Sequence, residues 1–167
     1  MGKQSNIILI GMPGSGKSTF GKALAEKLGR TFIDADDFLV MQEGKTIPEL
    51  FAVSEDCFRD AETRTAKTLA EQENIIIACG GGVVKRPVNI EIYKKTGHII
   101  FVDRSPERIA NDIEIGTRPL LKNGAKKLYE LYHERIQAYR TAADYIVAND
   151  RPESEVLDEL VHLAGKL

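Results

Sequence analysis

Five short apolar runs are spaced along the chain: "NIILIG" from Asn6, "TFIDAD" from Thr31, "NIIIACGGG" from Asn74, "HIIFVD" from His98 and "DYIVAN" from Asp144. Between them, apolar residues recur at intervals of three and four, the period of a helix with one buried stripe. Strands that read as unbroken apolar runs have no polar face, so both of their faces must be covered. The pattern therefore predicts an α/β fold, a three-layer αβα sandwich built on a five-stranded parallel sheet. Punctuation agrees: Ser105, Pro106 and Glu107 form a helix start, and Gly29 and Gly97 stand where helices are expected to stop. No internal repeat, low-complexity tract or linker interrupts the alternation, so residues 1–167 read as one domain.

Two stretches depart from the rhythm. Residues 41–58, "MQEGKTIPELFAVSEDCF", carry two short helices, the second opened by Thr46 with Glu49 three residues on, which is a capping box. Residues 114–126, "EIGTRPLLKNGAK", read as a loop with Gly, Pro and an arginine at its centre. Such segments on a rigid scaffold are common places for moving parts. We expect a helical insert over about residues 35–65 and a lid over about residues 112–125.

Composition narrows the choice mainly by exclusion. Charged residues make up 29% of the 167 positions with a net charge of -2, so neither nucleic acid nor a membrane surface is an expected partner. The first residues lack the features of a secretory signal, and Asn6 stands where a myristoylation start needs Ser or Thr. Cys57 and Cys79 are too few for a disulfide framework. A soluble, cytoplasmic protein is the expectation.

Candidate chemistry begins at residues 11–18, "GMPGSGKS", which fit G-x-x-x-x-G-K-[ST] between an apolar strand and the helix-forming run "STFGKALAEKLG". Glycines let the backbone curl so that N–H groups face a triphosphate, and the helix behind adds its positive end. Gly14, Ser15, Gly16, Lys17, Ser18 and Thr19 are thus the candidate ATP-binding residues. Lys17 would reach the β- and γ-phosphates, and the Ser18 hydroxyl would face Mg²⁺. No N-K-x-D segment for reading guanine is present, and the chain is short for a motor. Asp103 could pass for the second acidic motif of such folds, but a structural role is the expectation for it. A compact phosphate-loop protein with two mobile inserts suits a small-molecule kinase, in which closure excludes water from the γ-phosphate.

An acceptor site is suggested by four further features. Asp34 and Asp36 fall at the end of the second strand, where period-two geometry would point both carboxylates the same way, with a cation or donor between them. Asp37 reads as a solvated helix start. In "FRDAE", Arg59 and Glu62 are helix neighbours, and Glu62 lies on the stripe of Phe58, Thr65 and Leu69, which places the pair partly indoors. Gly80, Gly81 and Gly82 permit close backbone approach by a ligand. Finally, Arg135 sits near the middle of the apolar stripe made by Leu128, Leu131, Tyr132, Tyr139 and Ala142. A core ion pair would explain an inward arginine; so would capture, jointly with Arg59, of an acceptor carboxylate.

Taken in order, "GMPGSGKST", "DAD", "FRDAE", "GGG", "RPLL" at Arg118 and "ERIQAY" at Glu134 resemble the shikimate kinase family over nearly the whole chain. The resemblance implies a nucleoside monophosphate kinase-like fold and transfer of the ATP γ-phosphate to the 3-hydroxyl of shikimate, with Mg²⁺. It implies that Asp36, Arg59, Arg135 and the glycines Gly80, Gly81 and Gly82 hold shikimate, and that Asp34 acts on Mg²⁺ through water beside Ser18. It makes Arg118 the lid arginine, catalytic with Lys17 and Asp36. ATP and shikimate are the implied partners, and a monomer is expected. Asn111 stands where many members carry an arginine that stacks on adenine, leaving Arg108 or Arg151 to supply that surface. The alternative is a kinase for another polyol or sugar acid such as gluconate.

Overall fold

The computed structural model describes residues 5–115 and 122–167. Five strands, β1 (Asn6–Ile10), β2 (Thr31–Asp34), β3 (Ile75–Ala78), β4 (Gly97–Asp103) and β5 (Tyr145–Ala148), form one parallel sheet in the order β2-β3-β1-β4-β5. Helices α1 (Lys17–Leu28), α2 (Ala35–Glu43), α3 (Ile47–Val53), α4 (Glu55–Ala70), α5 (Pro87–Lys94), α6 (Pro106–Ile115), α7 (Lys122–Ala142) and α8 (Glu153–Ala164) connect and cover the strands.

The central strand β1 shows why its residues form a strand. Ile7, Ile8, Leu9 and Ile10 have no exposed surface, and they alternate between two cores. Ile8 and Ile10 pack with Ile77, Phe101 and Tyr139 on one face. Ile7 and Leu9 pack with Leu24, Ile100 and Leu160 on the other. Each such buried side chain contributes about 1.5–3 kcal/mol of transfer free energy, so the two-sided pattern specifies both the register and the three layers. A third, smaller cluster of Leu39, Leu50, Phe58 and Ala61 joins α2, α3 and the start of α4.

Most local signals act as the sequence implies. Gly29 ends α1 in the left-handed region at φ 66°. Thr46 and Glu49 complete the capping box of α3, and the Ser105 hydroxyl accepts from Arg108 N at 3.3 Å to open α6. Gly97 differs: α5 has already ended at Lys94, and Gly97 is the first residue of β4. Its need for no side chain is steric, because a Cβ there would lie 2.6 Å from the Asn6 carbonyl oxygen of the neighbouring strand. Part of the stretch expected as a loop over residues 114–126 is helical, since α6 runs to Ile115 and α7 begins at Lys122. Arg118 lies outside the described residues. Among the described residues no helix is long and apolar enough to cross a membrane.

Candidate active site

The phosphate loop follows β1 and turns directly into α1. Its bend depends on glycine at two places: Gly16 holds φ 102°, and a Cβ on Gly11 would stand 2.5 Å from the Val102 carbonyl oxygen. Two side chains from neighbouring strand ends hold the loop from outside. Asn149 Nδ2 donates to the Ser15 carbonyl at 2.7 Å, and Arg104 Nη1 donates to the Gly14 carbonyl at 3.0 Å. Because C=O and the following N–H point opposite ways across a trans peptide, the Asn149 contact turns the Gly16 N–H to the inner side. The positive end of α1 faces the same space.

Lys17 is 9% exposed, and its ammonium donates to the carbonyls of Gly11 at 2.7 Å and Met12 at 2.8 Å. Burial pushes its pKa down to about 8, against the opposing pull of Asp36 and Asp34. A buried cation with an easily lowered pKa gains a great deal when an anion arrives beside it. A cleft of about 430 Å³ opens next to the loop, lined by Lys17, Ser18, Thr19, Arg104, Arg108 and Arg151 among others. Arg151 is braced by Glu159 Oε2 at 2.5 Å and the Ala148 carbonyl at 3.2 Å. Asn111 is exposed and does not line this cleft. Arg104, paired with Asp112, was not singled out by the sequence. Its signal was available: it directly follows the C-terminal end of β4, the side of a parallel sheet on which ligands bind.

Asp34 and Asp36 are brought together, but not by strand geometry. β2 ends at Asp34, and Asp36 is already in the first turn of α2, so the period-two argument does not hold. Asp34 instead caps α2, its Oδ1 accepting from Asp36 N at 3.0 Å and Asp37 N at 3.1 Å. Its Oδ2 accepts from the Ser18 hydroxyl at 3.2 Å, which brings the two expected metal-facing groups into contact. Asp37 is exposed, as expected. Burial raises the Asp36 pKa, with the Asp34 charge adding to the effect, while Lys17 and Arg59 pull the other way. Asp103 takes a structural part, accepting from the Tyr132 hydroxyl at 3.0 Å.

The three glycines form the wall against which the remaining candidates stand. A Cβ on Gly80 would lie 2.9 Å from Asp36 Oδ1. On Gly81 it would lie 2.8 Å from Pro13 Cδ and 3.2 Å from Arg135 Nη1, and on Gly82 it would enter the Arg59 guanidinium, 2.7 Å from Nη2. Any side chain here would displace the charged group behind it. Arg59 and Glu62 are 8% and 7% exposed and joined at 3.0 Å, while Glu55 Oε2 receives Arg59 Nε at 3.3 Å and the Phe58 ring lies 5.0 Å from the Arg59 guanidinium carbon. Burial raises the pKa of Glu62 while Arg59 lowers it. Arg135 is different. Among the described residues it has no ion pair, and its Nε is buried without a hydrogen-bond partner. An inward guanidinium without an ion pair is costly unless a partner arrives beside it.

A parallel sheet with a Gly-x-x-x-x-Gly-Lys-Ser loop after its first strand, and two inward guanidiniums against a glycine wall at the end of the neighbouring strand, is the arrangement of a phosphate-loop kinase for a small acceptor. The shikimate kinase family model matches residues 13–164. A shikimate kinase from Clostridium beijerinckii is 45% identical over 157 residues, covering 94% of this chain and 93% of that protein. A shikimate kinase from Acinetobacter baumannii, solved in complex with shikimate, superposes with a TM-score of 0.86 at 30% identity, covering 97% of this chain and 93% of that one. A gluconokinase from Sinorhizobium meliloti, at 18% identity and TM-score 0.63 over 99% of this chain and 94% of that one, shares the fold alone. The chain belongs to the shikimate kinase family.

Proposed function

We propose that the protein transfers the γ-phosphate of ATP to the 3-hydroxyl of shikimate, giving shikimate 3-phosphate and ADP. One observation supports the acceptor's chemistry above all: the unpaired, inward Arg135 faces the same glycine wall as Arg59, so two guanidiniums converge where a ring carboxylate would sit. Anchored by that carboxylate, a ring hydroxyl would be directed toward Asp36 and the phosphate loop. The hydroxyl oxygen forms a bond to the γ-phosphorus as the bond to the ADP oxygen breaks, and the hydroxyl proton passes to Asp36. The raised pKa of Asp36 makes it a better proton acceptor than an ordinary carboxylate, though orienting the hydroxyl is its larger task.

Lys17 stabilises the charge on the transferred group. Its carbonyl partners in the loop hold the ammonium close to where the phosphates bind. Arg118, outside the described residues, would supply a second cation to the phosphates. Arg151 and Arg108 border the cleft beyond Thr19 and form the nucleotide-facing surface in place of Asn111.

The donor set suits Mg²⁺. That ion usually takes one or two protein oxygens and completes its shell with phosphate and water. Ser18 Oγ and Asp34 Oδ2, 3.2 Å apart, offer this, and no group of three or more His, Cys, Asp or Glu among the described residues competes as a metal cage. Bound there, Mg²⁺ would neutralise charge on the β- and γ-phosphate oxygens, with Asp34 acting through water. Cys57 and Cys79 as free thiols fit a reducing cytoplasm.

The test is steady-state ADP release with ATP and Mg²⁺, with shikimate or gluconate as acceptor. Rapid turnover with shikimate and none with gluconate supports the proposal. The reverse would overturn it.

A further inference from the structure

The loop of Gly80, Gly81 and Gly82 separates two guanidiniums, and it is tied to both of the helices that carry them. On the α7 side, the Tyr139 hydroxyl donates to the Gly81 carbonyl at 2.5 Å. The ring is fully buried and stacks on Phe101 of β4 with 5.0 Å between centroids, so the hydroxyl is held at a fixed point. Tyr139 lies one turn beyond Arg135 on the same face of α7 and contacts its guanidinium.

On the α4 side the tie has two steps. Asn89 of α5, with no exposed surface, donates from Nδ2 to the carbonyl of Val83, the residue after the glycines, at 3.0 Å. Its Oδ1 accepts from the Thr63 hydroxyl at 2.7 Å. Thr63 lies one turn beyond Arg59 on α4. Each arginine is therefore followed, four residues on, by a hydroxyl that ties its helix to the glycine loop.

We propose that Tyr139, and Thr63 acting through Asn89, are positioning residues that fix the spacing of Arg135 and Arg59 and so set the affinity for an acceptor carboxylate. The inference rests on the proposed function and deepens it. Two bidentate partners for one carboxylate must be placed to within a fraction of an ångström, and neither arginine is held to the other directly. The loop stands against both guanidiniums: a Cβ on Gly81 would lie 3.2 Å from Arg135 Nη1 and one on Gly82 2.7 Å from Arg59 Nη2.

The test uses Tyr139→Phe, which keeps the ring and its stacking, and Thr63→Val, which keeps the shape of the side chain. Loss of one neutral hydrogen bond should raise the shikimate KM roughly three- to tenfold while the ATP KM stays within about twofold. In an Arg135→Ala background, Tyr139→Phe should add no further loss, because its effect passes through Arg135. Thermal unfolding is followed in parallel, and if Tyr139→Phe does not fold, Thr63→Val carries the test. Folded variants with an unchanged shikimate KM, equal rises in both KM values, or full additivity with Arg135→Ala would each overturn the inference. Wild-type protein that does not turn over shikimate would overturn the proposed function and this inference with it; a wild type that does, beside unaffected variants, overturns the inference alone.

Discussion

Replacing Arg135 with alanine separates an anion-binding arginine from a structural one. In the fold, Arg135 has no ion pair among the described residues, so its removal strands no carboxylate. The usual large penalty for breaking a buried pair does not apply. Truncation should therefore leave the melting temperature within a few degrees of wild type. Binding is another matter. A charge-assisted hydrogen bond is worth about 1.5–3 kcal/mol, so a bidentate grip lost in full would cost up to about 6 kcal/mol. Arg59 remains, held by Glu62 at 3.0 Å, and can still receive the carboxylate. About half the ceiling, about 3 kcal/mol, is then the expected loss, equal to roughly a hundredfold fall in kcat/KM for shikimate. Most of it should appear in the shikimate KM, with the ATP KM unchanged. The assay is coupled ADP release over a range of shikimate concentrations at saturating ATP, with thermal unfolding on the same preparation. An unchanged shikimate KM together with a large fall in melting temperature would refute the reasoning and return Arg135 to a purely structural part.

Lys17→Ala should abolish phosphoryl transfer with an unchanged circular dichroism spectrum, and in the wild type ATP affinity should weaken as pH rises through about 8, where the ligand-free ammonium loses its proton; a pH-independent ATP Kd between 7 and 9 would contradict this. Asp36→Asn should cut kcat by roughly a hundredfold or more, through loss of orientation and of the proton acceptor. The same variant should raise the melting temperature of the ligand-free protein at neutral pH. The sign follows from a folded pKa above the ordinary 3.8: stability from this group is fully present below the unfolded pKa and lost as pH climbs through the folded one, so the charge is a cost at pH 7. A lower melting temperature with near-normal kcat would contradict both parts. Gly82→Ala should push the Arg59 guanidinium aside and raise the shikimate KM at least tenfold, with ATP binding retained by isothermal calorimetry; a wild-type KM would show the loop has room to give. Arg118→Lys should fail to restore wild-type kcat, because the planar fork is lost; a lysine variant as fast as wild type would show that diffuse positive charge suffices.

The sheet, its layers and the phosphate loop were legible because each rests on local signals that agree. The apolar runs of β1 and β3, buried on both faces, glycines at the required turns and a capping box at Thr46 all point to one answer. The Arg59–Glu62 pair was legible through helical spacing alone. The placement of Asp36 was legible only in part: proximity to Asp34 was right, but the strand ended two residues early because the Asp34 side chain caps a helix at that point. Arg104, Asn149 and Tyr139 were not singled out as site residues. Their partners lie 90, 134 and 58 residues away in sequence, and such contacts leave no periodic trace. Gly97 misled for the same reason, since its neighbour Asn6 belongs to another strand.

The most direct test is a crystal structure of the ternary complex with ADP, Mg²⁺ and shikimate. The account predicts the shikimate carboxylate between Arg59 and Arg135 against Gly81 and Gly82, with the 3-hydroxyl within hydrogen-bond reach of Asp36 and directed at the ADP β-phosphate in the loop. A carboxylate bound elsewhere, or a different hydroxyl facing the nucleotide, would contradict it.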